Sequence, residues 1–309
     1  VAPLVSNMQK RGGGVKEIVF KDLSKKVDSV FQIEVSFETC DSMGANFINT
    51  VLEAFAAAFT NLSNSTDLFP ADHRDVEVVM SILSNYTPEC LVHVETACPV
   101  DQLGGPINDT DAITLAHKFK KAVDIARADT YRAVTHNKGI FNGIDALILA
   151  TGNDFRAVEA CGHAFAAKSG QYISLSSCEI EDGIFQFSMD IPLALGTVGG
   201  LTSLHPMAKI ALEILGNPSA CDLMRYTAAL GLAQNFAAVK SLVTTGIQKG
   251  HMRMHLQNII NHLGLSITDA DLVNTHFRDK AISHSAIRTF VEENGKKQEI
   301  HSEDEVQKI

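Results

Sequence analysis

A lysine in a polar, glycine-containing segment is the first residue that could carry chemistry. Lys138 lies within Thr135-His-Asn-Lys-Gly139, part of residues 135–143, which we interpret as a loop that interrupts an otherwise apolar region. A lysine held in a tight loop can polarise a carbonyl oxygen and stabilise the oxyanion that hydride transfer creates. An ordinary solvated surface lysine is the commoner alternative.

A carboxylate follows the lysine along the chain. Asp154 ends Thr151-Gly-Asn-Asp154 and precedes an amphipathic segment, so it is a candidate N-cap of a helix. If the fold brings Asp154 beside Lys138, the carboxylate would hold the ammonium protonated and the pair could share a proton. The sequence leaves both interpretations open.

Two histidines near residue 250 are spaced i, i+4 and fall on one helix face. His251 and His255 could bind zinc at this spacing, but the Glu of H-E-x-x-H is missing and no third ligand is evident in the sequence. We therefore predict no metal site. His251 could instead be an acid that protonates a departing thiolate, and a solvated helix histidine fits the pattern equally well.

The segment Asp41-Ser-Met-Gly-Ala-Asn46 lies between a predicted strand and a predicted helix. Free N–H groups and the positive dipole end at a helix start can bind an anion such as a pyrophosphate, and Gly44 removes side-chain bulk there. Asp41 as an N-cap and Gly44 as a packing glycine explain the same pattern. The Rossmann fingerprint G-x-G-x-x-G is absent, so any dinucleotide would be bound by a different fold.

Hydrophobic periodicity predicts the elements that position these residues. Alternation over residues 31–37 predicts a half-buried strand, and apolar residues spaced i, i+4 from Phe47 to Phe59 predict a helix after it. Similar patterns predict strands over 76–82, 172–176 and 185–191, helices over 111–128, 154–167, 206–216 and 219–245, and a loop at 196–200.

These elements predict an α+β fold class. A small antiparallel-sheet cofactor domain of non-Rossmann type (1–90) joins a larger helix-rich substrate domain (91–250). The more polar residues 251–309 are expected to form a mobile C-terminal helical lid. The length of 309 residues favours this division over one undivided domain.

Composition excludes several classes of protein. A net charge of −10 disfavours binding to nucleic acid or to an anionic membrane surface. No apolar run reaches the length of a membrane span, and no signal-peptide pattern opens the chain. The six cysteines are scattered without a C-x-x-C pair, which is typical of free thiols in a reducing compartment. We expect a soluble, cytoplasmic protein.

In their order along the chain, the motifs resemble those of class II 3-hydroxy-3-methylglutaryl-coenzyme A (HMG-CoA) reductases. The lysine has the His-Asn-Lys-Gly context of class II enzymes rather than the Asp-Lys-Lys-Pro context of class I. The resemblance covers essentially the whole chain. The matching stretches are 41–46 with Asn49 and Thr50, 131–140, 150–154 with Arg156, Glu159 and Ala160, 196–200, His205-Pro206, 231–235 and 246–252.

The resemblance implies an oxidoreductase that interconverts HMG-CoA with mevalonate and coenzyme A by two successive hydride transfers. Lys138 would stabilise the oxyanion, Asp154 would belong to the carboxylate–lysine cluster, and His251 would protonate the coenzyme A thiolate. Arg132 and Asn142 would position the HMG carboxylate and hydroxyl. The family builds its active site across a dimer interface, so a homodimer or larger closed homo-oligomer is expected.

The resemblance also assigns a site for the cofactor, NAD or NADP. The dinucleotide would be held by the first loop and its helix, with Asn85 and Gln234 near the nicotinamide. Glu17 occupies the place where an acidic residue can accept the adenosine ribose hydroxyls. An acid there would repel a 2′-phosphate, so the prediction leans toward NAD. The loop residues are Asp41, Met43, Gly44, Ala45 and Asn46.

One feature of the family is missing. Its catalytic glutamate lies in a Glu-Asn-x-x-Gly motif well upstream of the cofactor loop, and none of the acids before Asp41 has that context. We expect the chain to be a fragment of a longer gene product that retains the other motifs. The alternative is a catalytically incomplete relative that binds coenzyme A or a dinucleotide, and the upstream coding sequence discriminates between the two.

Overall fold

The computed structural model describes residues 2–67, 70, 74, 76–103, 111–244, 246–277, 280 and 282–294. The five strands in the described ranges are β1 (Gly14–Asp22), β2 (Phe31–Glu38), β3 (Leu91–Pro99), β4 (Ser176–Glu181) and β5 (Ile184–Pro192). The helices there include α1 (Ala2–Gln9), α2 (Ala45–Ser65), α3 (Ala112–Ala128), α4 (Thr130–Ala150), α5 (Phe155–Ala166), α6 (Leu201–Leu204), α7 (Pro206–Ile214), α8 (Ala220–Val243), α9 (Ile247–Leu263) and α10 (Ile267–His276), and residues 284–294 are also helical.

The N-terminal part is an antiparallel β1–β2 hairpin followed by α2. The predicted strand at 31–37 and the helix after it are both present. Half-burial holds only toward the end of β2, where Phe37 meets Phe47 of α2 edge-on at 6.0 Å. Phe31 is 56% exposed and stacks on Phe20 at 5.5 Å, because only its own hairpin neighbour covers it.

The strand predicted over residues 76–82 is wrong. This segment belongs to no ladder among the described residues, and Val79, Met80 and Ile82 are largely exposed. A strand needs a neighbour for its N–H and C=O groups, and alternation alone cannot supply one. Strand β3 was not predicted, although the alternation of Val92 and Val94 with His93 and Glu95 is typical of a half-covered strand.

A three-stranded antiparallel sheet of order β3–β5–β4 carries the main core. Helices α3, α5 and α8 pack against it, α4 packs on α3 and α8, and Phe119 of α3 meets Phe185 and Phe187 of β5 edge-on at 5.3 and 5.1 Å. Residues 172–176 were predicted as a strand, but β4 begins at Ser176. The backbone before it bonds instead to the side chain of Asn137.

The segment predicted as a loop around Lys138 is instead part of helix α4. This correction changes how the lysine is held. Asp129 caps this helix by accepting from Arg132 N at 2.9 Å. A buried stripe at helical spacing then runs along it, made of Ala133, Asn137, Ile140, Ile144 and Ile148. The lysine therefore lies on a regular helix rather than in a mobile connection.

Helices α4 and α8 approach closely at glycines. A Cβ on Gly143 would lie 2.9 Å from the carbonyl oxygen of Leu230, and one on Gly231 would lie 2.8 Å from Ile144 Cγ1. Both distances are shorter than a normal contact, so these positions admit no larger residue without separating the two helices.

The predicted helices corresponding to α3, α5, α7 and α8 are all present, and the predicted loop at 196–200 precedes α6. Helix α9 begins at Ile247, before the boundary predicted at residue 250. The C-terminal part has a small apolar cluster of its own, in which Leu256, Ile260, Val273 and Phe277 are buried. In the described part of the chain, no helix is long and apolar enough to span a membrane.

Replacing Gly143 with Ala should lower the free energy of unfolding by about 1–3 kcal/mol, because the added methyl meets rigid backbone of α8. Gly139→Ala is the matched control on the same helix, since its Cβ would find its nearest neighbour at 4.0 Å. It should be neutral or stabilising by about 0.5–1 kcal/mol. Urea unfolding measures both, and equal effects would contradict the close α4–α8 contact.

Candidate functional site

Three motif loops that are far apart in sequence meet at one place, which we call the loop junction (residues 41–44, 153–154 and 196–198). Asp41 accepts hydrogen bonds from the backbone of two other segments. Its Oδ1 accepts from Ala220 N at 2.8 Å, and its carbonyl oxygen accepts from Thr197 N at 2.8 Å. Asp41 therefore accepts from the first N–H of α8, whose N-cap is Ser219, and does not cap α2, which corrects the N-cap interpretation made from sequence.

The third loop is tied in by Asn153. Its Nδ2 donates to the carbonyl oxygen of Gly196 at 3.0 Å, and its Oδ1 accepts from Gly196 N at 2.9 Å. A side chain on Gly196 would collide with the backbone of Ser42 and Met43. The glycine is needed because the two loops touch backbone to backbone.

The start of α2 projects from this junction. Its N-cap is Gly44, with a left-handed φ of 83°, and it has no side chain that could accept from the first-turn N–H groups. Ala45 and Asn46 form the first turn. A small crevice adjoins it, lined by residues that include Met43, Ile48, Asn85, Ala157, Cys161 and Ala194. An uncapped helix start beside a mostly apolar crevice fits a pyrophosphate with an attached planar ring.

Two residues predicted to bind the cofactor do not line this crevice. Glu17 is on strand β1, exposed and opposite Ser36 at a register irregularity, rather than in a loop. Gln234 lies on α8, where its Cβ is 3.0 Å from the position that a Cβ on Gly143 would take. It therefore belongs to the α4–α8 contact and does not line the crevice that holds Asn85.

Helix α4 carries three of the predicted site residues. Lys138 and Asn142 are exposed and one helical turn apart, so they share a face. Arg132 is half-buried nearer the helix start, and burial lowers the pKa of its guanidinium. Among the described side chains, no carboxylate forms an ion pair with Arg132.

Asp154 is the N-cap of α5, as one of the two interpretations predicted. Its Oδ1 accepts from Arg156 N at 3.0 Å and from Ala157 N at 3.4 Å. The Arg156 guanidinium lies 3.1 Å from Oδ2, and this hydrogen-bonded pair lowers the pKa of the carboxyl. Lys138 is about 18 Å along α4 from its last residue, Ala150. Among the described ion pairs none joins Lys138 to Asp154 within the chain.

The structure reveals polar residues that the sequence did not single out. Asp145, two turns after Lys138, is raised to a pKa of about 6 by burial and by the neighbouring Glu159. His136 is fully buried, and burial lowers its pKa to about 4. If residues 130–150 had been predicted as a helix, His136 would have fallen on its buried stripe. A histidine at a buried position would then have been recognised as unusual.

His251 is on α9, but its side chain lies outside the described residues, so its predicted role is not located here. His255 is exposed on the same helix. Within the described ranges, no three His, Cys, Asp or Glu side chains are grouped as metal ligands.

The sequence profile described as hydroxymethylglutaryl-coenzyme A reductase matches residues 3–256. The chain belongs to this family. It is 38% identical over 272 residues to the 3-hydroxy-3-methylglutaryl-coenzyme A reductase of Archaeoglobus fulgidus, covering 88% of this chain and 57% of that protein. A probable HMG-CoA reductase of Borreliella burgdorferi is 35% identical over 263 residues, covering 85% of this chain and 58% of that protein.

The fold is similar to solved HMG-CoA reductases. The class II enzyme of Streptococcus pneumoniae bound to NADPH matches with a TM-score of 0.69 and 37% identity, over 79% of this chain and 63% of that one. A second structure from that organism matches with a TM-score of 0.69 and 35% identity, over 94% and 67%. The chain thus spans less than three fifths of its curated relatives' length. The resemblance to class II HMG-CoA reductase is confirmed, and so is the α+β fold class.

The two interpretations of Asp154 can be separated in this HMG-CoA reductase family member. Asp154→Ala removes the cap of α5 and should lower the free energy of unfolding by about 1 kcal/mol, whereas Asp154→Asn, an equally good cap, should leave it nearly unchanged at pH 7. Because the folded pKa is lowered, the charged carboxylate stabilises the fold above the unfolded pKa. That contribution is lost as pH falls through the folded pKa.

Urea unfolding at pH 7 and pH 3 measures these differences. Both variants should lack the part of the pH dependence that Asp154 contributes. An Asn variant as unstable as the Ala variant at pH 7 would show that the backbone cap is not what Asp154 supplies.

Proposed function

We propose that the protein of which this chain is part interconverts HMG-CoA with mevalonate and coenzyme A as an NAD(P)-dependent oxidoreductase. The observation that carries the proposal is the set of polar side chains on α4. This helix holds an ammonium, an amide and a half-buried guanidinium without a described carboxylate partner. Those groups suit a substrate that has a carbonyl, a hydroxyl and a free carboxylate.

Each group on α4 has a separate task in this proposal. A bound nicotinamide cofactor supplies the hydride. Lys138 donates to the substrate carbonyl oxygen as negative charge develops there, and its place on a packed helix limits the reorganisation needed during the reaction. Arg132 binds the substrate carboxylate, and Asn142 bonds to the hydroxyl, so the carbonyl carbon is held in one orientation. His251 protonates the coenzyme A thiolate when it leaves.

The loop junction is the proposed dinucleotide site. The uncapped start of α2 would bind the pyrophosphate, and the crevice with Met43 and Asn85 would take the nicotinamide end. We infer that NAD is favoured over NADP because an acid, Glu17, would repel a 2′-phosphate. Its exposed place on β1 means that Glu17 would act from the hairpin and not from a loop.

We further propose that the active site is formed between two copies of the chain. Lys138 lies about 18 Å along α4 from the helix end that Asp154 follows, so a cluster containing both requires a second subunit. The exposed apolar residues Tyr131, Val134 and Leu149 lie along the same helix and would be covered by such an arrangement.

The six cysteines are all free, which supports a reducing location such as the cytoplasm. Residues 251–309 would form the lid.

The chemistry can be tested in the full-length protein with two substrates, HMG-CoA and the free aldehyde mevaldehyde. Lys138→Ala should slow reduction of both by a factor on the order of 10²–10³, because each forms an oxyanion. His251→Ala should slow HMG-CoA reduction by about 10²–10⁴ and spare mevaldehyde, which releases no thiolate.

Running the assay with NADH and with NADPH tests the cofactor preference, which a higher kcat/KM for NADPH would overturn.

Equal slowing of both substrates by His251→Ala would contradict the thiolate role. No activity in the wild-type protein, together with binding of coenzyme A or dinucleotide, would favour the catalytically incomplete relative.

The shared site predicts complementation between inactive variants. Lys138→Ala and Asp154→Asn chains, each inactive alone, should regain about a quarter of wild-type activity after unfolding and refolding together. Half of randomly mixed dimers are hybrids, and each hybrid has one intact site of two. Mixing Lys138→Ala with Lys138→Met is the matched control and should restore nothing. No recovery in the first mixture would place both residues in one subunit's site.

A further inference from the structure

A buried polar chain lies behind the proposed substrate-binding face of α4. It consists of His136 of α4, Ser176 at the start of β4 and Asn235 of α8, each at most 1% exposed. His136 Nε2 lies 2.7 Å from Ser176 Oγ, and Ser176 Oγ donates to Asn235 Oδ1 at 2.9 Å. Three elements are thus joined by side chains that an apolar core would not require.

The protons in this chain can be assigned from its connections. Asn235 Nδ2 donates to the carbonyl oxygen of His136 at 3.4 Å, which turns Oδ1 toward Ser176. An amide oxygen only accepts, so the single hydroxyl proton of Ser176 points at Asn235. Ser176 Oγ must then accept from His136, whose Nε2 therefore carries the ring proton.

That tautomer leaves Nδ1 of His136 as a bare acceptor. It is buried and has no hydrogen-bond partner among the described residues. A buried acceptor without a donor is costly, so a donor that can reach it gains free energy by doing so.

Arg132 is a candidate donor for Nδ1. It precedes His136 by one turn of α4 and so lies on the same side of the helix. Burial and the Arg132 charge lower the pKa of His136 to about 4, which keeps the ring neutral and the Nδ1 lone pair available near neutral pH. Ser176 and Asn235, the partners from β4 and α8, are uncharged.

We propose that His136 is a positioning residue whose Nδ1 accepts a hydrogen bond from Arg132 when the substrate carboxylate binds. The guanidinium has five N–H donors, so it can bond to Nδ1 and bind a carboxylate with two others. The chain from Asn235 through Ser176 to His136 holds the acceptor in place. The consequence is selectivity for an acyl group that carries a free carboxylate. The inference rests on the proposed role of Arg132.

Binding of HMG-CoA and of coenzyme A to the full-length protein separates positioning from a purely structural effect. His136→Gln keeps a donor for Ser176 and removes the Nδ1 acceptor. It should weaken HMG-CoA binding about tenfold and leave coenzyme A binding unchanged, because only HMG-CoA has the carboxylate. His163→Gln is the control: His163 is a half-buried histidine whose Nδ1 is bonded to the hydroxyl of Tyr172 at 2.8 Å, away from Arg132 and Ser176. It should not change the ratio of the two affinities.

Arg132→Gln distinguishes failure of this inference from failure of the proposed function. If it leaves HMG-CoA binding intact, the assigned role of Arg132 is wrong. If it weakens HMG-CoA binding while His136→Gln does not, the positioning role alone is wrong. Equal weakening of HMG-CoA and coenzyme A by His136→Gln would also overturn it, because that result indicates a general packing defect.

Nitrogen-15 NMR of the imidazole rings gives a readout independent of binding. The signal lost in His136→Gln should belong to a neutral Nε2–H tautomer that does not titrate between pH 8 and pH 5. Ser176→Ala, which removes little volume, should release the ring into a mixture of tautomers. An Nδ1–H tautomer, or titration near the ordinary pKa of 6.5, would overturn the proton assignment.

Discussion

The close contact between α4 and α8 is the constraint on which the arrangement of the site depends. Gly143 and Gly231 lack the side chains that would hold the two helices apart, so backbone and apolar side chains meet directly. This contact sets which residues of α4 are buried and which face outward. Lys138 and Asn142 are presented on the outer side because Ile140 and Ile144 are fixed on the inner one.

Burial of polar groups is tolerated in this contact because they bond to one another. The side-chain amide of Asn137 bonds to the irregular backbone before β4 with both its Nδ2 donor and its Oδ1 acceptor. His136, Ser176 and Asn235 do the same across three elements, with one ring nitrogen left over. Such a network disfavours slippage of α4 along α8, since a shift would leave several buried groups without partners.

The loop junction follows a different physical rule, in which backbone groups and small residues replace side-chain packing. Asp41 accepts from the first N–H of a helix that begins 179 residues later, and Asn153 bonds to both backbone groups of Gly196. These bonds leave the start of α2 open to a ligand. Family membership and this geometry both support the proposed reductase chemistry, and the separation of Lys138 from Asp154 is the reason that the proposal includes a second subunit.

Local signals were enough to predict much of the chain. Helices α3, α5, α7 and α8 follow from apolar spacing, and the N-cap of α5 follows from Asp154, because helix periodicity and caps depend on residues a few positions apart. The order of the motifs alone indicated the HMG-CoA reductase family.

Tertiary structure decided what depends on distant partners. Residues 135–143 look like a loop because their polar and glycine residues break the apolar pattern, yet β4 and α8 supply the bonds and the close packing that make them helical. Residues 76–82 alternate like a strand but have no paired neighbour in the described part of the chain. The helix whose first N–H donates to Asp41 and the buried hydrogen-bond partners of His136 are likewise set by atoms that lie far away in sequence, which no local pattern encodes.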